Sequence, residues 1–174
     1  DVQPNRPDCM GVLGIAREIA AILDRPLRMP STGVIEDGPG VEELASVAIE
    51  DTEGCPRYIA RVITGLSVGP SPGWPAGLWR GAGVRSISNI VDVTNFVMLE
   101  YGHPIHAFDL SLLSNGRIVV RRAREGERMT TLDGEEHALT GDELLITDGE
   151  RPVALAGVMG GADSEVSEKT TDVL

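Results

Sequence analysis

Apolar residues in the first part of the chain recur with a helical period. Val12, Ile15, Ala16, Ile19 and Leu23 fall at i, i+3, i+4 and i+7 spacing, and Asp8 follows Pro7 as a capping residue, so the pattern predicts a helix over 8–24 ended by Arg25-Pro26. Residues 27–43 lose the period and become Pro/Gly-rich and acidic, which reads as a linker. We therefore divide the chain into an N-terminal helix with its linker, 1–43, and a main domain, 44–174. Strand-like runs follow at 46–50 and 58–63, joined by a turn at Glu53-Gly-Cys-Pro. A turn-dense excursion occupies 65–83; it holds Trp74 and Trp79, and a short helix after Pro75 fits its start. The second strong helix is capped by Ser88, places Ile90, Thr94, Val97 and Tyr101 on one face, and stops at Gly102, a good C′ residue, before His103-Pro104.

Beyond that point the period shortens to two. A strand is predicted at 117–123. Strands at 127–132 and 135–139 flank Asp133-Gly134, and strands at 143–147 and 152–156 flank Asp148-Gly149, both strong hairpin signals. A glycine-rich loop, Gly157-Val-Met-Gly-Gly161, follows, and 171–174 has the pattern of a strand beginning. Helices and strands are segregated along the chain, so the class is α+β.

Composition narrows this picture. The 174 residues are 41% hydrophobic but only 3% aromatic, so a core must be built from Val, Ile, Leu and Ala. No apolar run approaches the ~18 residues of a membrane span, and the N-terminus has neither the basic nor the apolar region of a signal peptide. The chain starts at Asp1 without an initiator Met, which leads us to expect a piece of a longer polypeptide. Two cysteines, Cys9 and Cys55, sit far apart and outside any metal-ligand spacing, as expected of reduced thiols in a cytoplasmic protein. The net charge of −12 argues against an autonomous nucleic-acid binder, because the one basic cluster, Arg121-Arg122-Ala-Arg124, lies among Glu125 and Glu127. Any nucleic-acid partner would be held mainly by other domains.

Candidate chemistry centres on the second helix. Thr94 and Asn95 lie within it and His106 just past the turn that ends it. A reversal at 102–104 could bring hydroxyl, amide and imidazole to one pocket able to orient water, an ester carbonyl or a ribose hydroxyl. The same residues also fit a helix end with a satisfied imidazole and a Thr bonded back to its own helix. His103 and His137 read as surface or capping residues. The loop 157–161 has neither the Gly-Lys-Ser/Thr ending of a P-loop nor a Gly-x-Gly-x-x-Gly pattern. Without a Gly-x-Ser-x-Gly elbow, an unrelated esterase is disfavoured.

A series of words in the sequence is more specific than any one of them. Asn5-Arg-Pro-Asp-Cys9 is followed by Gly14-Ile-Ala-Arg-Glu18, Asn89-Ile-Val-Asp-Val-Thr-Asn95, Gly102-His-Pro-Ile-His-Ala-Phe-Asp109, Glu125-Gly-Glu127, Leu132-Asp-Gly134 and Ala156-Gly-Val-Met-Gly-Gly161. In this order they resemble the editing domain of the β subunit of bacterial phenylalanyl-tRNA synthetase, together with the helix that leads into it. The resemblance implies a three-layer sandwich of mixed and antiparallel sheets with helices, preceded by an N-terminal helix. It implies hydrolysis of tyrosine mischarged onto tRNA(Phe). It implies a heterotetramer of two α and two β subunits, in which phenylalanine activation uses ATP and Mg²⁺ in the α subunit and neither is bound in this stretch. Carried over by motif, the pocket residues are Thr94, Asn95 and His106 as the catalytic group and Ala156 and Gly157 as the substrate-binding group. Two departures stand out. Gln is frequent in the family at the position of His103, and the family's glutamate that reads the tyrosine hydroxyl falls just beyond Leu174. The alternative is a non-catalytic module that positions tRNA or supports the synthetase.

Overall fold

The computed structural model describes residues 2–73 and 81–174; Trp74, Trp79 and the helix expected after Pro75 lie outside them. The chain forms two compact units that interleave in sequence. The first comprises Asp1–Asp37 with Gly69–His106, the second Gly38–Val68 with Ala107–Leu174. This partition differs from the division at 43/44 drawn from Pro/Gly content: the second predicted helix groups with the first one, and not with the strands on either side of it.

In the first unit α1 spans Val12–Ile22 and follows a 3-10 turn at Pro7–Cys9. It is shorter than the expected 8–24. Its N-cap is Gly11, with no side-chain cap, and Asp8 is instead engaged by Arg6 at 2.7 Å. Helix α3, Asn89–Tyr101, matches its sequence signals closely: the Ser88 side chain accepts from the Val91 N–H at 3.3 Å, and Gly102 closes the helix at φ 71. A left-handed residue at C′ is the conformation glycine adopts at least cost. Losing the cap by Ser88→Ala is expected to cost about 1 kcal/mol, read as a lowered thermal midpoint. The helices α1 and α3 pack together, and their glycine caps meet: a Cβ on Gly11 would stand 2.4 Å from the Gly102 nitrogen.

The second unit opens with a single helical turn, α2 (Val41–Leu44), and strand β1 (Ser46–Ile49). It continues with β2 (Arg117–Arg122), β3 (Arg128–Thr130), β4 (Glu136–Ala138), β5 (Leu144–Thr147), β6 (Pro152–Leu155) and β7 (Met159–Gly160). Among the described residues these make a five-stranded sheet of order β1-β2-β5-β6-β7 and a two-stranded β3-β4 sheet. The β1–β2 pair is parallel, with Val47 opposite Ile118, and the other pairs are antiparallel. Parallel neighbours need a long crossover; here it is everything from 50 to 116, which includes the whole second segment of the first unit. The α+β class read from the sequence is the class of the structure.

The buried apolar side chains of this unit form two clusters. Ile118 and Val120 join Phe108, Leu113, Val153 and Leu174 in one core, while Ala123 joins Met129, Leu139 and Leu145 in a second. Both hairpin signals hold, with Gly134 at φ 84 and Gly149 at φ 93. Two expected strands do not form as such. Residues 58–63 and 171–174 contribute only single bridges, Ile63 to Val173 and Asp109 to Val173. Backbone hydrogen bonds still tie the region, exchanged between Ile63 and Val173 and between Phe108 and Leu174, and side chains add to them: Asp172 accepts from the Gly65 N–H at 3.0 Å, and Thr170 donates to Asp109.

Candidate functional site

Thr94 and Asn95 sit in the second turn of α3, a helix whose start is anchored from several directions. Asp92 is buried at 2% exposure and accepts from the Ile87 N–H at 3.0 Å and from the hydroxyls of Ser71 and Ser86. This carboxylate ties the segments before the helix to its first turn. Thr94 donates its hydroxyl proton to the Val91 carbonyl at 2.7 Å, the back-bond anticipated for a helical threonine. Its oxygen can therefore receive a hydrogen bond from a ligand but has no proton free to give. The Asn95 amide, half-buried, is hydrogen-bonded by none of the described residues, so both its donor and its acceptor are free to meet a ligand.

The chain leaves α3 through Gly102 and reaches His106, where the first unit ends. The imidazole keeps an exposed surface, yet the protein packed around it desolvates the ring and lowers its pKa from the ordinary 6.5. The neutral form is thus the form present at pH 7. His103 is exposed just past the helix cap, as expected. His137 is likewise exposed, on β4, with its Nε2 3.1 Å from the Thr131 hydroxyl.

Ala156 and Gly157 belong to the second unit. The Ala156 N–H donates to the Leu144 carbonyl at 2.9 Å, which fixes the loop at the end of β6. Gly157 then turns the chain at φ 72, where a side chain would be strained although space around it is open. At Gly161 the reason for glycine is different: a Cβ there would lie 2.8 Å from the Val153 carbonyl oxygen. The five residues named from the sequence thus fall as three in the first unit and two in the second.

Among the described residues, three buried carboxylates act as anchors: Asp92, Asp109 and Asp148, the last accepting from the Ser114 N–H and hydroxyl. At Asp109 burial pushes the carboxyl up, but hydrogen bonds from Ser111 and Thr170 outweigh this and hold its pKa below the ordinary 3.8. Asp92 and Asp109 stand inside motif words, but partners such as Ser71 and Thr170 are distant in sequence, so no local pattern marks these carboxylates as anchors.

Two arginines of the basic cluster are already paired. Arg121 is buried against Glu127, and the Arg122 guanidinium is held by Asp51 and the Asp142 carbonyl. Among the described residues, neither the glycine-rich loop nor the acidic group beside Arg6 is built for ATP or Mg²⁺. The glycine-rich loop runs into the two-residue strand β7 and then a 3-10 turn at Ala162–Ser164, with no helix N-terminus to face a phosphate. Asp8, Cys9 and Glu18 approach one another, but Arg6 already occupies the centre, 2.7 Å from both carboxylates.

The sequence pattern of the B3/4 domain matches residues 54–174. The chain belongs to the B3/4 domain family. Relatives of this B3/4 chain include the phenylalanine–tRNA ligase β subunit of Geobacter sulfurreducens, 55% identical over 171 residues, which covers 98% of this chain and 21% of the relative. The β subunit of Anaeromyxobacter dehalogenans is 55% identical and that of Thermotoga maritima 50%, each over 100% of this chain and 22% of the relative. The B3/4 chain thus spans about a fifth of the length of the curated relatives it matches. A crystal structure of an N-terminal fragment of the Pyrococcus horikoshii phenylalanyl-tRNA synthetase β subunit aligns with a TM-score of 0.47 at 15% identity, over 97% of this chain and 51% of that one. Among the described residues no helix is long and apolar enough to cross a membrane.

Proposed function

We propose that this B3/4 domain is part of a phenylalanine–tRNA ligase β subunit and hydrolyses the ester of tyrosine mischarged onto tRNA(Phe). The observation that carries the reading is its 55% identity to such a subunit over 98% of the chain. The rest of the enzyme, in this reading, is cytoplasmic and supplies the α subunit, ATP and Mg²⁺ for aminoacylation.

Tyrosine exceeds phenylalanine by one hydroxyl, and an apolar synthetic pocket rejects an added hydroxyl poorly. A second, hydrolytic pocket restores the discrimination. In that chemistry each of the five residues has a role its bonding permits. Thr94, its proton already committed, receives a hydrogen bond from the terminal ribose or the attacking water. The Asn95 amide donates to the ester carbonyl, where negative charge grows as the tetrahedral intermediate forms. His106, neutral at pH 7, accepts a proton from water. Ala156 and Gly157 leave room for the amino-acid moiety.

The test is the whole ligase carrying His106→Ala. Hydrolysis of tyrosyl-tRNA(Phe) is expected to fall roughly 100-fold or more, with phenylalanine aminoacylation unchanged. In the wild type the acid limb of the hydrolysis rate should lie below pH 6.5, following the lowered imidazole pKa. Undiminished hydrolysis in the variant would favour the second reading, a scaffold that positions tRNA without chemistry.

A further inference from the structure

We infer that Asp92 is a positioning residue for the hydrolysis: it sets helix α3 so that the Asn95 amide, one turn later, is aimed at the ester. The inference rests on the proposed reading of Asn95 and adds a buried carboxylate that the chemistry itself does not touch. Asn95 is half-buried and is hydrogen-bonded by none of the described residues. Such an amide is ready for a ligand, but no bond of its own holds its direction. Its aim is the aim of the helix that carries it. A donor that meets developing charge is effective only when its support is rigid.

Asp92 supplies that support. It is the acidic residue in the first turn of α3 and precedes Asn95 by three positions, so the two lie on one side of the helix. Three donors converge on its two oxygens. The Ile87 N–H reaches Oδ1 at 3.0 Å, and the hydroxyls of Ser71 and Ser86 both reach Oδ2. Ser71 stands twenty-one positions earlier in the chain, so the carboxylate pins the helix to a distant segment. Asn89 braces the same segment: its N–H donates to the Gly69 carbonyl at 2.8 Å, and its Oδ1 accepts from the Gly69 N–H at 3.1 Å. Together these bonds oppose rotation of α3 about its axis, which the Ser88 cap, acting inside the first turn, does not. A carboxylate suits the place because both of its oxygens only accept. At 2% exposure it would be costly without these donors. Shape rather than charge sets the helix. In an Asp92→Asn variant the amide oxygen keeps the Ile87 N–H, and the serine hydroxyls turn to accept from the NH₂ group.

The experiment measures tyrosyl-tRNA(Phe) hydrolysis by the whole ligase. Asp92→Ala is expected to lower kcat roughly 10–100-fold and to leave KM within about twofold. Asp92→Asn should restore kcat to within about threefold of the wild type. Added to Asn95→Ala, Asp92→Ala should cost nothing further, because the two act through one group. A carboxylate that only holds the fold gives another pattern: a lowered Tm with unchanged kcat, or losses that add. Either result overturns the inference, as does an Asn variant as slow as the Ala variant. The milder pair Ser71→Ala with Ser86→Ala covers the case of a helix that comes loose, since the carboxylate and the Ser88 cap stay in place. In that variant of the 174-residue chain the Asn95 side-chain amide resonances should shift while the backbone amides of β2 and β5 stay put. Unmoved Asn95 resonances overturn the inference too. A wild-type ligase that leaves the ester intact ends the proofreading reading, and the Asn95 resonances then still decide whether Asp92 aims the amide. Full hydrolysis in both the wild type and Asp92→Ala ends this inference alone.

Discussion

Gly14→Ala should destabilise the first unit by about 3 kcal/mol, the reverse of what helix propensity alone would give. In an exposed helix interior, Gly to Ala is stabilising by roughly 1 kcal/mol. Here the added Cβ would stand 1.7 Å from the Asp8 carbonyl oxygen and 3.0 Å from the Cys9 Cα. Both are backbone, in the 3-10 turn Pro7–Cys9, and neither can rotate away as a side-chain end could. That turn is further held by the Arg6 pairs to Asp8 and Glu18, so relief requires α1 to move off it. Overpacking of this kind costs about 1–3 kcal/mol, and the rigid contact puts it at the upper end. Hydrogen exchange gives the sharpest readout: amides of 12–22 should lose protection while those of β2 and β5 keep theirs. Gly33→Ala is the control, because nothing lies within 4 Å of a Cβ there. Equal melting of both variants would mean that the close approach of α1 to the turn is wrong.

The second large effect concerns a buried ion pair. Arg121 and Glu127 have side-chain exposures of 4% and 14%. The guanidinium engages the carboxylate twice, at 2.8 and 2.6 Å, and Glu127 also accepts from the Arg124 N–H at 2.9 Å. Glu127→Gln leaves a buried cation facing a neutral amide and is expected to cost about 3–5 kcal/mol. The double variant Arg121→Met with Glu127→Leu should recover most of that loss. The Arg121 Nε has no partner among the described residues, so the pair carries an unsatisfied donor that the apolar version removes. The hydrogen bonds from Arg121, opposed by burial, hold the Glu127 pKa below the ordinary 4.5. A carboxyl lowered by folding stabilises fully above its unfolded pKa, and that contribution disappears as pH falls through the folded value. Acid titration of the wild type should therefore lose stability below about pH 4.5, with a shallower loss in Glu127→Gln. A double variant as unstable as the single one would show that the pair does more than neutralise itself.

The parts legible in the sequence were those governed by neighbours in the chain. Ser88 and Gly102 bracket α3 as predicted, because a cap acts on amides three residues away. Asp133-Gly134 and Asp148-Gly149 turn two hairpins for the same reason: the left-handed glycine sits within the turn it makes. Thr94 shows a limit of such reading. Its motif marked it as important, but only the structure shows its proton committed to Val91 and so restricts the part it can play.

Other features had no local signal. The parallel pairing of β1 with β2 joins residues just over seventy positions apart, such as Val47 and Ile118, and no period in either strand encodes that choice. The apolar stripe of α1 is a similar case, since Val12, Ile19 and Ile22 lie exposed. Periodicity reports that a face is apolar, not which way it turns, and two glycines decided which side of α1 meets the rest of its unit. The sequence by itself determined the cap and stop of α3, the two hairpin turns and the family, since each rests on short-range stereochemistry or on residue identity. Tertiary structure alone decided the interleaving of the two units, the burial of Asp92 and Asp109, and the placing of the five motif residues as three in one unit and two in the other. These depend on contacts between distant segments, whose free energy is set by packing and desolvation in three dimensions rather than by order along the chain.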